Sequence, residues 1–473
     1  MNTKALRQKI LDLAIHGKLV PQDPNDEPAS VLLERIRAEK ERLIKEGKIK
    51  RPKKTKTTSD KPHYENVPFE VPSSWVWTTV GEISQSILYG VSESAKSQGA
   101  YRLLRITDIQ DNTVNWDTVP FTDYENEKAE AYLLKDGDIL FARTGATVGK
   151  SYLVNSLKEK AIYASYLIRV QTNHYVLPAF VKYFFESGFY WEQVLGNSVG
   201  IGQPNVNGTI LSNLELPIPP IMEQKRIVKE LGEWLSIIDK IEEGKGRIQK
   251  VISLAKSKVL DLAIHGKLVS QDPTDEPACE LLKRINPKVE TISDNGHYQK
   301  FPEGWCETQL GDIFNHNTGK ALNSSNTEGT LKDYLTTSNV YWNSFDFSVV
   351  KKMPFKESEI NKCQITKGDL LVCEGGDIGR AAIWDYDYDI CIQNHLHRLR
   401  PKVNGICVSF YYYVLYYLKI NNMIGGKGIG LLGLSSKALH KLHVPFPPLN
   451  EQHRIVSKIE EIFAQLDEIE ASL

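Results

Sequence analysis

The chain has 473 residues, 41% of them hydrophobic and 25% charged, and a formal net charge of −1. This length predicts two or three domains, and the balanced charge excludes a strong overall attraction to nucleic acid or to a membrane surface. The six cysteines form no Cys-x-x-Cys pair, which argues against a zinc ribbon or a disulfide scaffold. Residues 410–418, the longest dense apolar stretch, are too few to span a bilayer. We expect a cytoplasmic, multidomain protein with no membrane contact.

The first element, residues 1–50, predicts an N-terminal helical region without the apolar core of a signal peptide. Part of it recurs later in the chain, because Leu11–Ala29 and Leu260–Ala278 are identical at 17 of 19 positions. His16 and His265 occupy the same place in the two copies, near a predicted helix end. Capping or packing is therefore the favoured interpretation of both histidines.

A basic stretch follows. Residues 40–56 carry nine basic and two acidic side chains, and residues 51–63 are assigned to a basic linker. Such a run is usually solvated, and the alternative is an arm that contacts phosphates. The sequence leaves both interpretations open.

Residues 64–220 predict a first globular domain, in which short apolar runs alternate with Gly, Asn and Asp turns. Near its end, residues 177–194 predict an aromatic-rich helix. The stretch from Gly145 to Ser151 resembles a phosphate-binding P-loop, but three residues separate its glycines where that loop needs four. We therefore expect no nucleotide binding there.

Residues 221–286 are assigned to a central conserved long helix, because apolar residues such as Ile227, Leu231 and Leu235 recur at helical spacing. Gly244 and Gly246 are places where this helix could break. Gly266 suits the position that closes a helix, and prolines follow it.

Residues 297–448 predict a second globular domain and residues 449–473 a C-terminal helix. Leu216–Val228 and Val444–Val456 share the pattern Pro-x-Pro-Pro-x-x-Glu-Gln-x-Arg-Ile-Val, so each domain leads into a similar helix. The two termini together rebuild one copy of the central region. This layout predicts a pseudo-two-fold molecule with circularly permuted half-repeats. His395 and His397 alternate along a predicted strand without partners at metal-ligand spacing, so no metal site is expected.

These features resemble the DNA specificity subunit of type I restriction-modification enzymes, and the resemblance covers nearly the whole chain. The matching residues are Pro217, Pro219, Pro220, Glu223, Gln224, Arg226, Ile227, Pro445, Pro447, Pro448, Glu451, Gln452, Arg454 and Ile455. The resemblance implies an α+β fold with two globular mixed α/β target-recognition domains joined by two long antiparallel helices. It also implies that each domain reads one half of a split, asymmetric target in double-stranded DNA.

The resemblance further implies a non-catalytic subunit that scaffolds its partners. Two methyltransferase subunits and the restriction/translocase subunits would supply the chemistry and would bind S-adenosylmethionine, ATP and magnesium. The chain lacks the Asn/Asp-Pro-Pro-aromatic tetrad of adenine methyltransferases, since Ile218 and Phe446 precede its two Pro-Pro pairs. The alternatives are a helical adaptor that does not read DNA and, less favoured, a self-contained methyltransferase or nuclease.

Charge places a limit on DNA binding. Residues 57–220 carry 12 basic and 18 acidic side chains, and residues 295–448 carry 16 basic and 14 acidic ones. Tight DNA binding normally needs a basic face. We therefore predict weak binding by the isolated chain and tight binding in the presence of methyltransferase subunits.

Candidate DNA contacts lie in glycine-rich loops, where the backbone can approach DNA and polar side chains can reach base edges. They are Arg143, Thr144, Lys150, Gly202, Gln203, Asn205, Glu374, Arg380, Lys427, Ser435 and Ser436. Gln203 and Asn205 suit adenine, Arg143 suits guanine, and Glu374 suits cytosine. The alternative is that these loops are ordinary turns with solvated charges.

Six residues of the repeated helix starts are candidate subunit contacts: Glu223, Gln224, Arg226, Glu451, Gln452 and Arg454. They either anchor the helix starts or bind methyltransferase subunits. DNA contact is the less favoured role for them.

Overall fold

The structure is a computed structural model that describes residues 2–47, 67–144, 148–196, 206–287, 289, 301–322, 328–424 and 434–473. The chain divides into two compact units, Met1–Gly244 and Lys245–Leu473. The boundary between them falls inside one long helix, α8 (Ile221–Ile264). In the part of the chain that is described, no helix combines the length and apolar character needed to cross a membrane.

The first unit combines helices with short strands. Its helices, besides the first part of α8, are α1 (Thr3–Ile15), α2 (Ala29–Lys45), α3 (Val80–Ile83), α4 (Asn126–Ala129), α5 (Pro178–Phe184), α6 (Gly188–Gly196) and α7 (Gly208–Asn213). Its strands are β1 (Val76–Thr79), β2 (Ser84–Tyr89), β3 (Tyr101–Leu104), β4 (Ile109–Gln110), β5 (Thr113–Val114), β6 (Phe121–Thr122), β7 (Ile139–Ala142), β8 (Ser151–Leu153), β9 (Ala161–Tyr163), β10 (Leu167–Thr172) and β11 (Glu215–Ile218).

The second unit also combines helices with short strands. Its helices, besides the last part of α8, are α9 (Ala278–Ile285), α10 (Leu310–Ile313), α11 (Glu357–Cys363), α12 (Val408–Ile420), α13 (Ser436–His440) and α14 (Leu449–Ser472). Its strands are β12 (Cys306–Gln309), β13 (Phe314–Thr318), β14 (Thr330–Leu335), β15 (Val340–Tyr341), β16 (Ser344–Phe345), β17 (Lys351–Phe355), β18 (Gln364–Ile365), β19 (Leu370–Cys373), β20 (Ala381–Ile383), β21 (Ile390–Ile392), β22 (Leu396–Pro401) and β23 (His443–Phe446).

The larger sheet has the same strand order in the two units. The larger sheet of the first unit runs β2-β10-β7-β8, and that of the second runs β13-β22-β19-β20, with antiparallel neighbours throughout. A second sheet runs β6-β3-β9 in one unit and β17-β14-β21-β18 in the other, and each contains one parallel pair. Strand pairs β1-β11 and β12-β23 lead into α8 and α14. The mixed α+β fold class is confirmed.

Each unit packs its part of α8 against a helix from the nearer end of the chain, in antiparallel direction. In the first unit Arg7 of α1 pairs with Asp239 of α8. Gln22, which follows α1, donates a hydrogen bond to Glu223 near the start of α8, so the two segments run in opposite directions. In the second unit Lys256 of α8 pairs with Asp467 of α14. Apolar residues at three- and four-residue steps, such as Ile227, Leu231 and Ile238, are fully buried and hold this packing together.

The assignment of region 221–286 to one long helix needs a correction, because the region contains two helices: α8, which ends at Ile264 as Gly266 predicts, and the separate α9. Gly266 explains the end, since its positive φ of 64° is a conformation that other residues seldom adopt. No break occurs at Gly244 or Gly246, which lie within α8. The aromatic helix expected at residues 177–194 is instead two helices, α5 and α6.

Candidate nucleic-acid interface

The predicted contact Arg143 lies at one end of the larger sheet of the first unit. Strands β2 and β7 end there and β10 begins there, because Tyr89 pairs with Ile168 and Ala142 pairs with Leu167. The Arg143 N–H donates to the carbonyl of Tyr166 at 3.0 Å. Three chain segments that are far apart in sequence therefore meet at this sheet end.

The Arg143 guanidinium lies over an aromatic ring. Its Cζ is 5.1 Å from the ring centroid of Tyr89, a cation–π arrangement. The Tyr89 hydroxyl accepts a hydrogen bond from the Gly208 N–H at 2.8 Å, which orients the ring. Arg143 Nε is buried, and within the described residues it has no hydrogen-bond partner. Because Nε is buried, an acceptor from outside the chain could reach only the terminal guanidinium nitrogens of this half-buried residue.

The second unit places Glu374 at the matching sheet end. The Glu374 N–H donates to the carbonyl of His395 at 2.9 Å, as the Arg143 N–H does to Tyr166. Glu374 Oε2 lies 3.8 Å from His395 Nδ1. The two units thus hold the same backbone contact, but one presents a cation beside a phenol and the other a carboxylate beside an imidazole.

Arg380 makes contacts within its own unit. Its Nη2 donates to the Thr337 carbonyl at 2.6 Å, and its Cζ lies 4.7 Å from the centroid of the Tyr341 ring. These contacts fix the loop next to β20. A DNA contact by Arg380 stays a prediction, and it would have to share the guanidinium with Thr337.

The remaining candidate contacts have different surroundings. Thr144 is half-buried and Lys150 is exposed at the two ends of the loop between β7 and β8. The Ser435 side chain accepts a hydrogen bond from the Ala438 N–H at 3.3 Å and so caps α13, which begins at Ser436. Gly202, Gln203, Asn205 and Lys427 lie outside the described residues.

The repeated helix starts are buried inside each unit. Glu223 and Gln224 are 1% and 0% exposed. Gln224 Nε2 donates to the Pro219 carbonyl at 2.9 Å, and its Oε1 accepts from the Leu177 N–H, also at 2.9 Å. Burial raises the pKa of Glu223, although the hydrogen bond from Gln22 opposes the shift. These residues anchor the start of α8, which is one of the two roles expected for them.

The second copy repeats these contacts. Gln452 donates to the Pro447 carbonyl at 2.8 Å and accepts from the Cys407 N–H at 3.0 Å. Glu451, 1% exposed, accepts from Gln271 at 2.9 Å. The arginines Arg226 and Arg454 are only half-buried, and each pairs with an aspartate of its own unit. A role for these six residues in subunit contact stays a prediction.

Lys40, the first residue of the basic stretch, makes hydrogen bonds within the first unit. Lys40 Nζ donates to the carbonyls of Gly81 and Glu82 at 2.6 and 2.8 Å. Burial lowers the pKa of Lys40. Lys40 therefore joins α2 to α3, and residues 48–56 lie outside the described residues.

Sequence reasoning did not place Tyr166 beside Arg143, nor His395, which it considered only as a metal ligand, beside Glu374. A further internal match marks both positions, because Tyr166-Leu167-Ile-Arg169-Val corresponds to His395-Leu396-His-Arg398-Leu. The buried arginines of this match, Arg169 and Arg398, donate to backbone carbonyls in both units. Across the described ranges, no group of three or more His, Cys, Asp and Glu side chains is arranged to hold a metal ion.

Known proteins are similar to this chain in sequence and in fold. A family model described as the type I restriction modification DNA specificity domain matches residues 72–251 and again residues 302–473. The chain belongs to this family. It carries two such specificity domains, one in each unit.

Two relatives resemble this family member along nearly its whole length. It is 28% identical to the type I restriction enzyme EcoAI specificity subunit of Escherichia coli, over 97% of this chain and 88% of that protein. It is 25% identical to the EcoEI specificity subunit of the same species, over 99% and 90%. A solved chain from work on complex assembly and conformational transition of the type I R-M system has a TM-score of 0.62 at 19% identity, covering 86% of this chain and 94% of that one. That likeness shows a common fold.

Proposed function

We propose that this chain is the DNA-reading specificity subunit of a type I restriction-modification complex, with one domain for each half of a bipartite, asymmetric target in double-stranded DNA. The observation that carries the proposal is that the two domains share the strand order of their larger sheet and the loop hydrogen bonds at its end, but present different side chains there. The shared backbone holds Arg143 and Glu374 at matching positions of the two domains. Because these side chains favour different bases, the two domains are expected to bind two different half-sites.

The chain is non-catalytic in this proposal and acts in the cytoplasm. Two methyltransferase subunits and the restriction/translocase subunits bring S-adenosylmethionine, ATP and magnesium, and all the chemistry. Exposed apolar side chains on α8 support a docking role. Trp234 and Ile237 of the first unit are 41% and 48% exposed, and Val251 and Leu254 of the second are 63% and 70% exposed. Apolar side chains repeated along one helix are typical of a surface that a partner covers.

The test is adenine-methylation mapping in cells that express the chain with its methyltransferase subunit. A split, asymmetric motif that disappears when the chain is deleted supports the proposal. Replacing residues 64–220 by another recognition domain is expected to change one half of the motif and leave the other. Methylation that persists without the chain contradicts the proposal and favours the helical adaptor.

A further inference from the structure

A short turn joins the same two strands in both units. It is Ala164-Ser165-Tyr166 between β9 and β10, and Gln393-Asn394-His395 between β21 and β22. On either side of each turn the chain is buried. Tyr163, Leu167, Ile392 and Leu396 all have 0% exposure.

The backbone of the turn is held by the same hydrogen bonds in each unit. The N–H of Ser165 donates to the Val91 carbonyl at 2.8 Å, and the N–H of Asn394 donates to the Lys320 carbonyl at 3.0 Å. Val91 and Lys320 in turn donate to the last residue of β9 and of β21, at 2.9 and 3.0 Å. The turn is therefore fastened to the segment that follows β2 or β13.

Close packing adds a second constraint on this frame. A Cβ added at Gly90 would lie 2.2 Å from the Tyr163 carbonyl oxygen, and one at Gly319 would lie 2.0 Å from the Ile392 carbonyl oxygen. Both contacts are far below van der Waals distance, so both positions require glycine. The backbone atoms from which the turn side chains project are therefore held in a fixed position.

The side chains themselves differ and reach outward. Tyr166 is 61% exposed and the His395 side chain is 56% exposed. Gln393 and Asn394 are half-buried, and no side-chain hydrogen bond of theirs is formed among the described residues. Carboxamides pair bidentately with adenine in the major groove, whereas the matching Ala164 and Ser165 cannot.

We infer that these two turns are specificity-determining elements. Tyr166 with Arg143 contacts base edges of one half-site, and Asn394 with His395 and Glu374 contacts those of the other. The inference rests on the proposed function and adds residues to it. Its chemical argument is that a rigid, shared backbone carries exposed side chains of different hydrogen-bonding type in the two domains.

The test uses the full chain in complex with its methyltransferase subunits and maps methylated adenines across a genome. Tyr166→Ala is expected to weaken the preference at one base pair of one half-site on the order of 10- to 100-fold, as for the loss of one base contact. Tyr166→Phe keeps the ring and removes only the hydroxyl, so its comparison with Tyr166→Ala shows which of the two groups is responsible for the base preference. Lys158→Ala, in the exposed loop at the other end of β9, is the matched control and is expected to leave the motif unchanged.

An exchange gives the stronger readout. The triple variant Ala164→Gln, Ser165→Asn, Tyr166→His is expected to alter the same half-site and leave the other half intact. Unfolding temperature and co-purification with the methyltransferase subunit show whether each variant is assembled. A uniform fall in methylation without a changed motif, in an assembled Tyr166→Ala complex, overturns the inference. If the inference is overturned in this way, exchange of residues 64–220 tests the proposed function separately. A switch of one half-site in that exchange would show that the proposed function still holds.

Discussion

Arg226 at the start of α8 donates to the carboxylate of Asp26 at 2.6 Å, and so joins residues 200 positions apart in the first unit. The same pair recurs in the second unit, where Arg454 donates to Asp275 at 2.7 Å. Asp26 and Asp275 are almost buried, with side chains 8% and 5% exposed. The duplicated pair fastens the start of α8, and likewise the start of α14, to the loop that follows the repeated His-Gly-Lys-Leu-Val segment of the same unit.

Arg226→Ala is expected to lower the free energy of unfolding by about 1–3 kcal/mol, because it leaves a nearly buried carboxylate without its charged donor. Arg35→Ala is the matched control. Arg35 also pairs with a carboxylate, that of Glu27, but both side chains are largely exposed. That loss should stay below about 1 kcal/mol. Urea unfolding of the full chain measures both values, and equal losses would contradict the role given to Asp26.

Gln224→Glu tests the anchor at the start of α8. The new carboxylate can still accept from the Leu177 N–H, but it faces the Pro219 carbonyl instead of donating to it. At pH 8 this change should destabilise the first unit by about 1–3 kcal/mol. Gln249→Glu, at an exposed position of α8, should have almost no effect. The unfolding temperatures of the two variants, measured under the same conditions, test this expectation. A Gln224→Glu chain as stable as the Gln249→Glu chain would refute the anchoring role.

Two histidines of the second unit predict an acid-dependent loss of stability. His316 Nε2 and His397 Nδ1 are 3.0 Å apart, and His397 Nε2 donates to the Leu434 carbonyl at 2.7 Å. Burial, and then the neighbouring His397 and His440, lower the pKa of His316 to about 4. Burial also lowers the pKa of His397, although the hydrogen bond to the Leu434 carbonyl and, to a smaller extent, Glu374 oppose this.

Because these pKa values are lower in the folded chain than in the unfolded one, the unfolded chain takes up more protons on acidification. The stability of the second unit should therefore be complete above about pH 6.5 and fall as the pH approaches 4. The first unit has Ile87 and Ile168 at the matching sheet positions. The double variant His316→Ile, His397→Ile should flatten the dependence of unfolding temperature on pH in this window. An unchanged slope would exclude the histidine pair as its source.

The isolated chain should bind its target DNA weakly, with a Kd on the order of micromolar or above at physiological salt, since the first domain carries more acidic than basic side chains. Addition of methyltransferase subunits should tighten binding strongly. Fluorescence anisotropy with target and scrambled duplexes measures both states. A salt-dependent nanomolar Kd for the chain alone would contradict this expectation.

Leu254→Asp should weaken association with the methyltransferase subunit at least tenfold, because the exposed leucine on α8 would lose its apolar contact and a charge would have to be desolvated. Leu331→Asp offers a matched control, since Leu331 is an exposed leucine on β14 rather than on α8, with 62% exposure. Analytical ultracentrifugation of each variant with the partner compares them. Equal affinities would remove this part of α8 from the docking surface.

Much of the fold was predictable because local sequence patterns indicate it. The duplication follows from direct identity between segments, and α8 follows from apolar residues at helical spacing with a closing Gly266. The candidate site was only partly predictable. Arg143 and Glu374 were predicted as charged residues close to glycines, whereas only a short match between the following strands marks Tyr166 and His395.

By itself the sequence determined that the chain contains two related halves in permuted order, and that each half joins a domain that differs between the halves to a helix start that is repeated in both. Only the tertiary structure decided that Tyr89, Arg143 and Tyr166 meet, and that Glu223 and Gln224 are buried within their own unit. The reason is physical. Helical spacing and repeated motifs are properties of neighbouring residues, but contacts at a sheet end depend on which distant strands pair and in which register.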